Sequence, residues 1–156
     1  MNIFEIEKKY NSIEAMNELL VHLQKEYFDR IGYHAELFRG GALSDIGQMQ
    51  NSLDELTGIY MDLKTVYMIS ITMKENRELQ HYMSRKIEIE NKGEKFVSAP
   101  IEKESSNNVA MERRIRNILE GKIDACSLAI STVQSKLKFA SSELINLKGI
   151  KSENQN

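Results

Sequence analysis

The 156-residue sequence has little of what β-rich, disulfide-stabilised or metal-binding proteins need. It contains no tryptophan, one proline and eight glycines, which does not suit the frequent turns of a β-sandwich. A single cysteine excludes an internal disulfide framework and a CxxC metal site, and three scattered histidines offer few metal ligands. Charged residues make up 28% of the chain, and this composition suits long helices. We therefore expect an all-α fold, and the length allows one domain with tails.

Long apolar runs are also absent. Charged side chains interrupt the N-terminal sequence MNIFEIEKKY, so no signal-peptide core is present there. The densest apolar stretch, residues 66–73, lies between Lys64 and Lys74 and is far shorter than the ~20 residues that a membrane-spanning helix needs. The sequence predicts a soluble, cytoplasmic protein with no membrane partner.

The first long helix is predicted over about residues 12–39. Asn11 and Glu14 have the spacing of a capping box, in which two side chains satisfy free backbone amides at a helix start. Apolar residues then recur at steps of three or four and form one stripe. The predicted end is Gly40 and Gly41, because glycine tolerates the left-handed conformation that closes a helix.

A second long helix is predicted over residues 46–91, with Asp45 as its cap and Gly93 near its end. Its apolar stripe widens over residues 66–73, so we expect this stretch to lie in the core. The two helices together predict a helical hairpin over residues 1–92.

The C-terminal part of the chain has the clearest pattern. Residues 93–108 lack periodicity and contain Pro100, which predicts an irregular linker. A coiled-coil helix is predicted over residues 109–148, because apolar residues alternate steps of four and three there. Residues 149–156 are expected to form a flexible tail. The predicted seam, which is also the expected oligomer interface, comprises Leu119, Ile123, Cys126, Ile130, Val133, Leu137, Ala140, Leu144 and Leu147.

A second, weaker stripe runs beside this seam. A simple two-stranded coiled coil would leave it exposed to water. We therefore expect a helical bundle assembled from more than one copy of the chain. The stripe comprises Ala125, Leu128, Thr132, Phe139 and Ser142.

Catalytic motifs are not apparent. Glu78 and His81 have the Glu-x-x-His spacing of helical di-metal sites, but no second copy of this step exists, so an ordinary surface histidine is favoured over a metal ligand. Cys126 lies among apolar seam residues, where desolvation keeps a thiol protonated. No phosphate-binding loop or nucleophile elbow occurs. We expect neither an enzyme nor a bound metal or cofactor.

Charge is distributed unevenly, and residues 109–151 carry eight basic and four acidic side chains. Three arginines fall in the first turns of the last helix, where the helix dipole disfavours cations and an anion would relieve the cost. Pairing of Arg116 with Glu112 or Glu120 at i,i+4 spacing is an alternative explanation for part of the cluster. The predicted nucleic-acid-binding residues are Arg113, Arg114 and Arg116, with Arg85 and Lys86 from the preceding helix.

These patterns predict a non-catalytic, oligomeric helical protein. The arginine-rich helix start favours an accessory or mediator factor in nucleic-acid transactions, with single-stranded nucleic acid as a possible partner. The alternative is a protein-binding scaffold, adaptor, chaperone or inhibitor that makes no nucleic-acid contact and receives a partner helix in a long groove.

Overall fold

The fold is a set of helices. The computed structural model describes residues 1–39 and 45–153, except for the side chains of residue 144 and of residues 146–153. Among these residues no strand occurs, and the predicted all-α class is confirmed. None of the described helices has the length and apolar character needed to cross a membrane. The elements are α1 (Ile3–Lys9), α2 (Ile13–Leu23), a π-helical turn (Gln24–Phe28), α3 (Asp29–Arg39), α4 (Ile46–Asn91), α5 (Ser98–Asn108) and α6 (Ala110–Glu153).

Two capped helices occupy the N-terminal region. In α1, which the sequence did not predict, the backbone N–H of Glu5 donates to Asn2 Oδ1 at 2.9 Å, and the N–H of Asn2 donates to the Glu5 carboxylate at 2.8 Å. The cap of α2 is Ser12, one residue later than predicted, and its Oγ accepts from the Ala15 N–H at 3.1 Å. The capping box was therefore placed on the wrong residue.

The π-helical turn changes which residues of the first long helix are buried. The predicted helix over residues 12–39 is helical as far as Arg39, but α2 and α3 join through this turn. The wider turn adds a residue to the repeat, so the buried positions Leu23 and Phe28 are five residues apart instead of three or four. The predicted end at Gly40 and Gly41 lies outside the described residues.

Helix α4 has the bounds that the sequence predicts. The Asp45 carboxylate accepts from the backbone N–H of Gln48 at 3.1 Å, which caps the helix start. Beyond the helix end, Gly93 has a φ of 70°, a conformation that glycine adopts without steric cost.

The predicted irregular linker is partly helical. Residues 98–108 form α5, with Pro100 in its first turn, where a missing N–H breaks no helical hydrogen bond. Ile101 and Ser105 are buried, so packing supports a helix that its own sequence does not mark. Helix α6 follows at Ala110 and continues over residues 149–153, for which a flexible tail was predicted.

Two compact units make up the described chain. Unit 1 contains residues 1–24 and 63–121, and unit 2 contains residues 25–62 and the chain from residue 122 onward. Each unit contains part of the predicted hairpin and part of the predicted C-terminal helix. The core of unit 1 includes Ile6, Tyr10, Met16, Leu19, Leu63, Ile115 and Leu119. The core of unit 2 includes Phe28, Ile31, Leu56, Ile59, Ile123, Cys126 and Val133.

Candidate functional site

The predicted basic cluster lies on two helices of unit 1. Arg85 and Lys86 are on α4, and Arg113, Arg114 and Arg116 are in the first two turns of α6. The partners of each cation decide whether it can bind a phosphate group, because a cation already paired with a carboxylate offers little net charge.

Arg85 is held by two carboxylates. Its guanidinium contacts Glu88 on the same helix, and its Nε lies 3.1 Å from Glu104 Oε1 on α5. The hydrogen bond that Arg85 donates to Glu88 and the charge of Glu104 raise the pKa of Arg85. Lys92 and Arg85 in turn lower the pKa of Glu88. Arg85 is therefore a member of a local ion-pair network and not a free cation.

Lys86 and Arg113 also have partners within unit 1. The Lys86 ammonium lies 5.7 Å from the centre of the Phe96 ring and 3.9 Å from the Glu90 carboxylate. Arg113 donates to Ser106 Oγ at 2.6 Å and to the backbone carbonyl of the same residue. Because helix carbonyls near a C-terminus lack partners, Arg113 supports the end of α5.

Arg113, Arg114 and Arg116 have no carboxylate partner in the described chain, but Ser106 holds Arg113, which leaves Arg114 and Arg116 as the least constrained members of the cluster. Arg114 is exposed. Arg116 donates to the neutral Asn117 Oδ1 at 2.8 Å. The spacing of Arg116 suggests a pair with Glu112 or Glu120, but neither pair forms in the described chain. Glu112 contacts Arg77 instead.

Glu112 is the centre of a buried polar cluster that the sequence did not reveal. Its side chain is 2% exposed and accepts from Arg77 of α4 at 2.6 Å. The same Arg77 nitrogen donates to the carbonyl oxygen of Tyr10 at 2.9 Å. Burial is the main cause of a raised pKa of Tyr10, and the nearby charge of Glu112 raises this pKa further. These contacts join three segments of unit 1, a structural role.

The two side chains of the Glu-x-x-His step contact different residues. The Glu78 carboxylate pairs with Lys74 at 2.5 Å, whereas His81 Nδ1 lies 3.0 Å from Ser105 Oγ. The two side chains thus have separate partners. Within the described residues, no group of three or more metal-ligating side chains comes together.

Cys126 is a core residue, as predicted. Its side chain is buried in unit 2, and its thiol donates to the backbone carbonyl of Leu56 at 3.2 Å. Burial raises the pKa of the thiol to about 11. A neutral, enclosed thiol of this kind is not an activated nucleophile.

Four of the nine predicted residues of the oligomer seam are buried within the single chain. Leu119, Ile123, Cys126 and Val133 are buried by the chain's own helices, and they are therefore not available to a second copy. A heptad pattern predicts that a helix face is buried but does not say which helix covers it. The half-buried members are Ile130, Leu137 and Ala140, and the side chains of Leu144 and Leu147 lie outside the described part of the chain.

A groove with a partly apolar lining lies between α4 and α5 in unit 1. It encloses about 380 Å³. We call it the acidic groove. Its lining consists of Glu75, Glu78, Leu79, Tyr82, Glu102 and Ser105.

Exposed apolar residues continue along α4 beyond the acidic groove. The side chain of Leu79 is 61% exposed. Met83 and Ile87 follow at four-residue steps on the same helix face, and their side chains are 46% and 53% exposed. Glu75 and Glu102 are exposed and make no ion pair with a described residue. The sequence prediction missed this groove because residues 98–108 were not expected to form a helix, although the apolar spacing of Leu79, Met83 and Ile87 was visible.

No protein-family model, curated protein or solved structure matches the chain.

Proposed function

We propose that the chain is a non-catalytic helical protein that binds a helix of a partner protein in the acidic groove. The observation that supports this function is the exposed Leu79, Met83 and Ile87 face of α4 beside the unpaired carboxylates of Glu75 and Glu102. Exposed apolar residues that recur on one face and are bordered by charge are typical of protein-binding surfaces. An amphipathic helix fits such a groove with residues spaced three and four apart.

Charge defines the chemistry of the partner helix. Two unpaired carboxylates favour lysine or arginine beside the apolar contacts and disfavour acidic sequences. Glu78 contributes less because Lys74 neutralises it. The expected partner segment is thus a basic amphipathic helix.

The test uses two labelled synthetic peptides. One has leucines at helical spacing separated by lysines, and the other has glutamates in place of the lysines. We expect only the lysine peptide to bind, and the Leu79→Ser variant to bind it about tenfold more weakly because part of a leucine contact is lost. Fluorescence anisotropy measures both affinities.

The matched control is Met68→Ser, which removes an exposed apolar side chain of α4 that does not line the groove. Its affinity should equal that of the unmodified chain. Equal binding of both peptides, or equal loss in both variants, would contradict the proposal.

A role as an accessory or mediator factor in nucleic-acid transactions is the second candidate. It is favoured by the exposed Arg114 and by Arg116, whose partner is uncharged. The other three cations of the basic cluster have acidic, aromatic or backbone partners, and so the cluster offers less free positive charge than its sequence suggests. For that reason protein binding comes first.

We also propose that the protein self-associates through α6. Since much of the heptad seam is buried within the chain, the second stripe on the same helix is the surface that supports self-association. Leu128 and Phe139 on this stripe are 71% and 66% exposed. Large apolar side chains in such positions are typical of helix–helix contacts between copies.

A further inference from the structure

The exposed stripe on α6 lies in unit 2, on a different face of the helix from the buried residues Cys126 and Val133. Its positions follow one another at steps of three and four, so they share one face. We call it the outer stripe. It comprises Ala125, Leu128, Thr132, Ser135, Phe139 and Ser142, all of them exposed except the half-buried Thr132.

We propose that two copies of the chain pair antiparallel along the outer stripe, an inference that rests on the proposed self-association. In this register Thr132 lies opposite Thr132 of the second copy, and Phe139 lies opposite Ala125. The pairing has twofold symmetry. Each copy therefore presents the same surface, and the assembly closes as a dimer instead of growing into a filament.

Side-chain size supports this register. With Thr132 at the twofold axis, the large Phe139 faces the small Ala125 of the other helix, and Leu128 faces Ser135. Alternation of large and small residues across an interface allows two helices to interdigitate. A parallel arrangement would place Phe139 against Phe139 and Ser135 against Ser135. The two large phenylalanine side chains would then be crowded, and the two small serine side chains would leave a gap.

Charge supports the same register. Asp124 and Lys138 flank the outer stripe on the same side, are exposed, and make no ion pair with any described residue. At a rise of 1.5 Å per residue, the antiparallel register brings Asp124 of one copy within about 3 Å, along the helix axis, of Lys138 of the other. Twofold symmetry repeats this pair at the other end of the interface.

Charge reversal tests the pairing without disturbing the core. The single variants Asp124→Lys and Lys138→Asp should each raise the dimer Kd about tenfold, because each change affects two symmetric pairs. The double variant D124K/K138D should restore the original Kd. Sedimentation or light scattering over a concentration series measures these values, and circular dichroism confirms that helicity is unchanged.

Cysteine crosslinking tests the direction and the register. In a Cys126→Ser background, Thr132→Cys should form a disulfide-linked dimer under mild oxidation, because each Thr132 faces its counterpart. Ala125→Cys should not, since the two copies of that residue lie about 20 Å apart along the axis. Crosslinking of both variants would indicate parallel helices.

The outcomes separate the two proposals. Rescue by the double variant together with crosslinking at Thr132 alone supports the antiparallel dimer. A dimer that crosslinks at Ala125, or that the double charge reversal does not rescue, overturns the register but leaves self-association in place. A wild-type chain that stays monomeric at about 100 µM, well above a micromolar Kd, overturns both. Peptide binding to the acidic groove is measured independently.

Discussion

Burial determines the chemistry of the individual side chains. The Cys126 thiol is enclosed by apolar neighbours in unit 2, so its ionised form is disfavoured. Tyr10 is similarly enclosed in unit 1, and the charge of Glu112 raises its pKa further. In contrast, the side chain of Arg114 is exposed to solvent. Cys126 and Tyr10 are thus enclosed, whereas Arg114 is able to contact a partner.

Cys126 should resist thiol reagents in the folded protein. Its pKa of about 11 leaves almost no thiolate at pH 8, and the buried side chain is accessible only when the structure opens. If opening costs about 5 kcal/mol, native labelling is slower than that of an unfolded thiol by ~10³-fold or more. The measurement is the labelling rate with an aromatic disulfide reagent, with and without urea. Native labelling at the rate of a free thiol would mean that Cys126 is not a core residue.

Local signals in the sequence account for some helices and not for others. The bounds of α4 were predictable because Asp45 accepts from a backbone amide at the start and Gly93 adopts a left-handed conformation after the end. Helix α5 was not predictable, because its polar sequence with Pro100 has no helical periodicity. Packing of the buried Ile101 stabilises this helix instead. Tertiary contacts of this kind override weak local preferences.

The same limit applies to the candidate sites. The sequence names the arginines of the basic cluster as candidates, but it does not show the ion pairs that charged residues of this region form with other helices. Arg85 pairs with Glu104 of α5, and Glu112 pairs with Arg77 of α4. Spacing along one helix cannot predict such pairs, because it reports only neighbours three or four residues away.

Glu112 joins its helix to α4, and we expect Glu112→Gln to destabilise the protein by about 1–3 kcal/mol. The amide oxygen still accepts from Arg77 but carries no charge, and the loss is smaller than for a fully buried pair because Arg77 is only half-buried. The free energy of unfolding in urea measures the effect. The control is Glu120→Gln, an exposed position on the same helix, which should change stability by less than about 0.5 kcal/mol. If both variants have the same free energy of unfolding, Glu112 does not have this structural role.

For the whole molecule, charge and apolar surface together favour protein contacts over nucleic-acid contacts. The net charge is −2, and most of the basic cluster is occupied by other side chains of unit 1. The acidic groove of unit 1 and the outer stripe of unit 2 are separate surfaces with different chemistry. A dimer formed through the outer stripe would therefore carry two acidic grooves, and a partner with two basic helices would bind it with higher avidity than a partner with one.

The salt dependence of oligonucleotide binding tests the remaining role of the basic cluster. Each contacted phosphate contributes about −0.7 to the slope of log K against log salt for single strands, so Arg114 and Arg116 together predict a slope no steeper than about −1.4. All five predicted cations would give about −3.5. Binding of a labelled single-stranded oligonucleotide over a salt series measures the slope, which the Arg114→Gln and Arg116→Gln changes should reduce to near zero. The control pair Arg85→Gln and Lys86→Gln should leave it unchanged, because those cations already have partners. A slope near −3.5 that the control pair also reduces would mean that the ion pairs of unit 1 open to admit phosphates, and nucleic-acid binding would then replace protein binding as the first function.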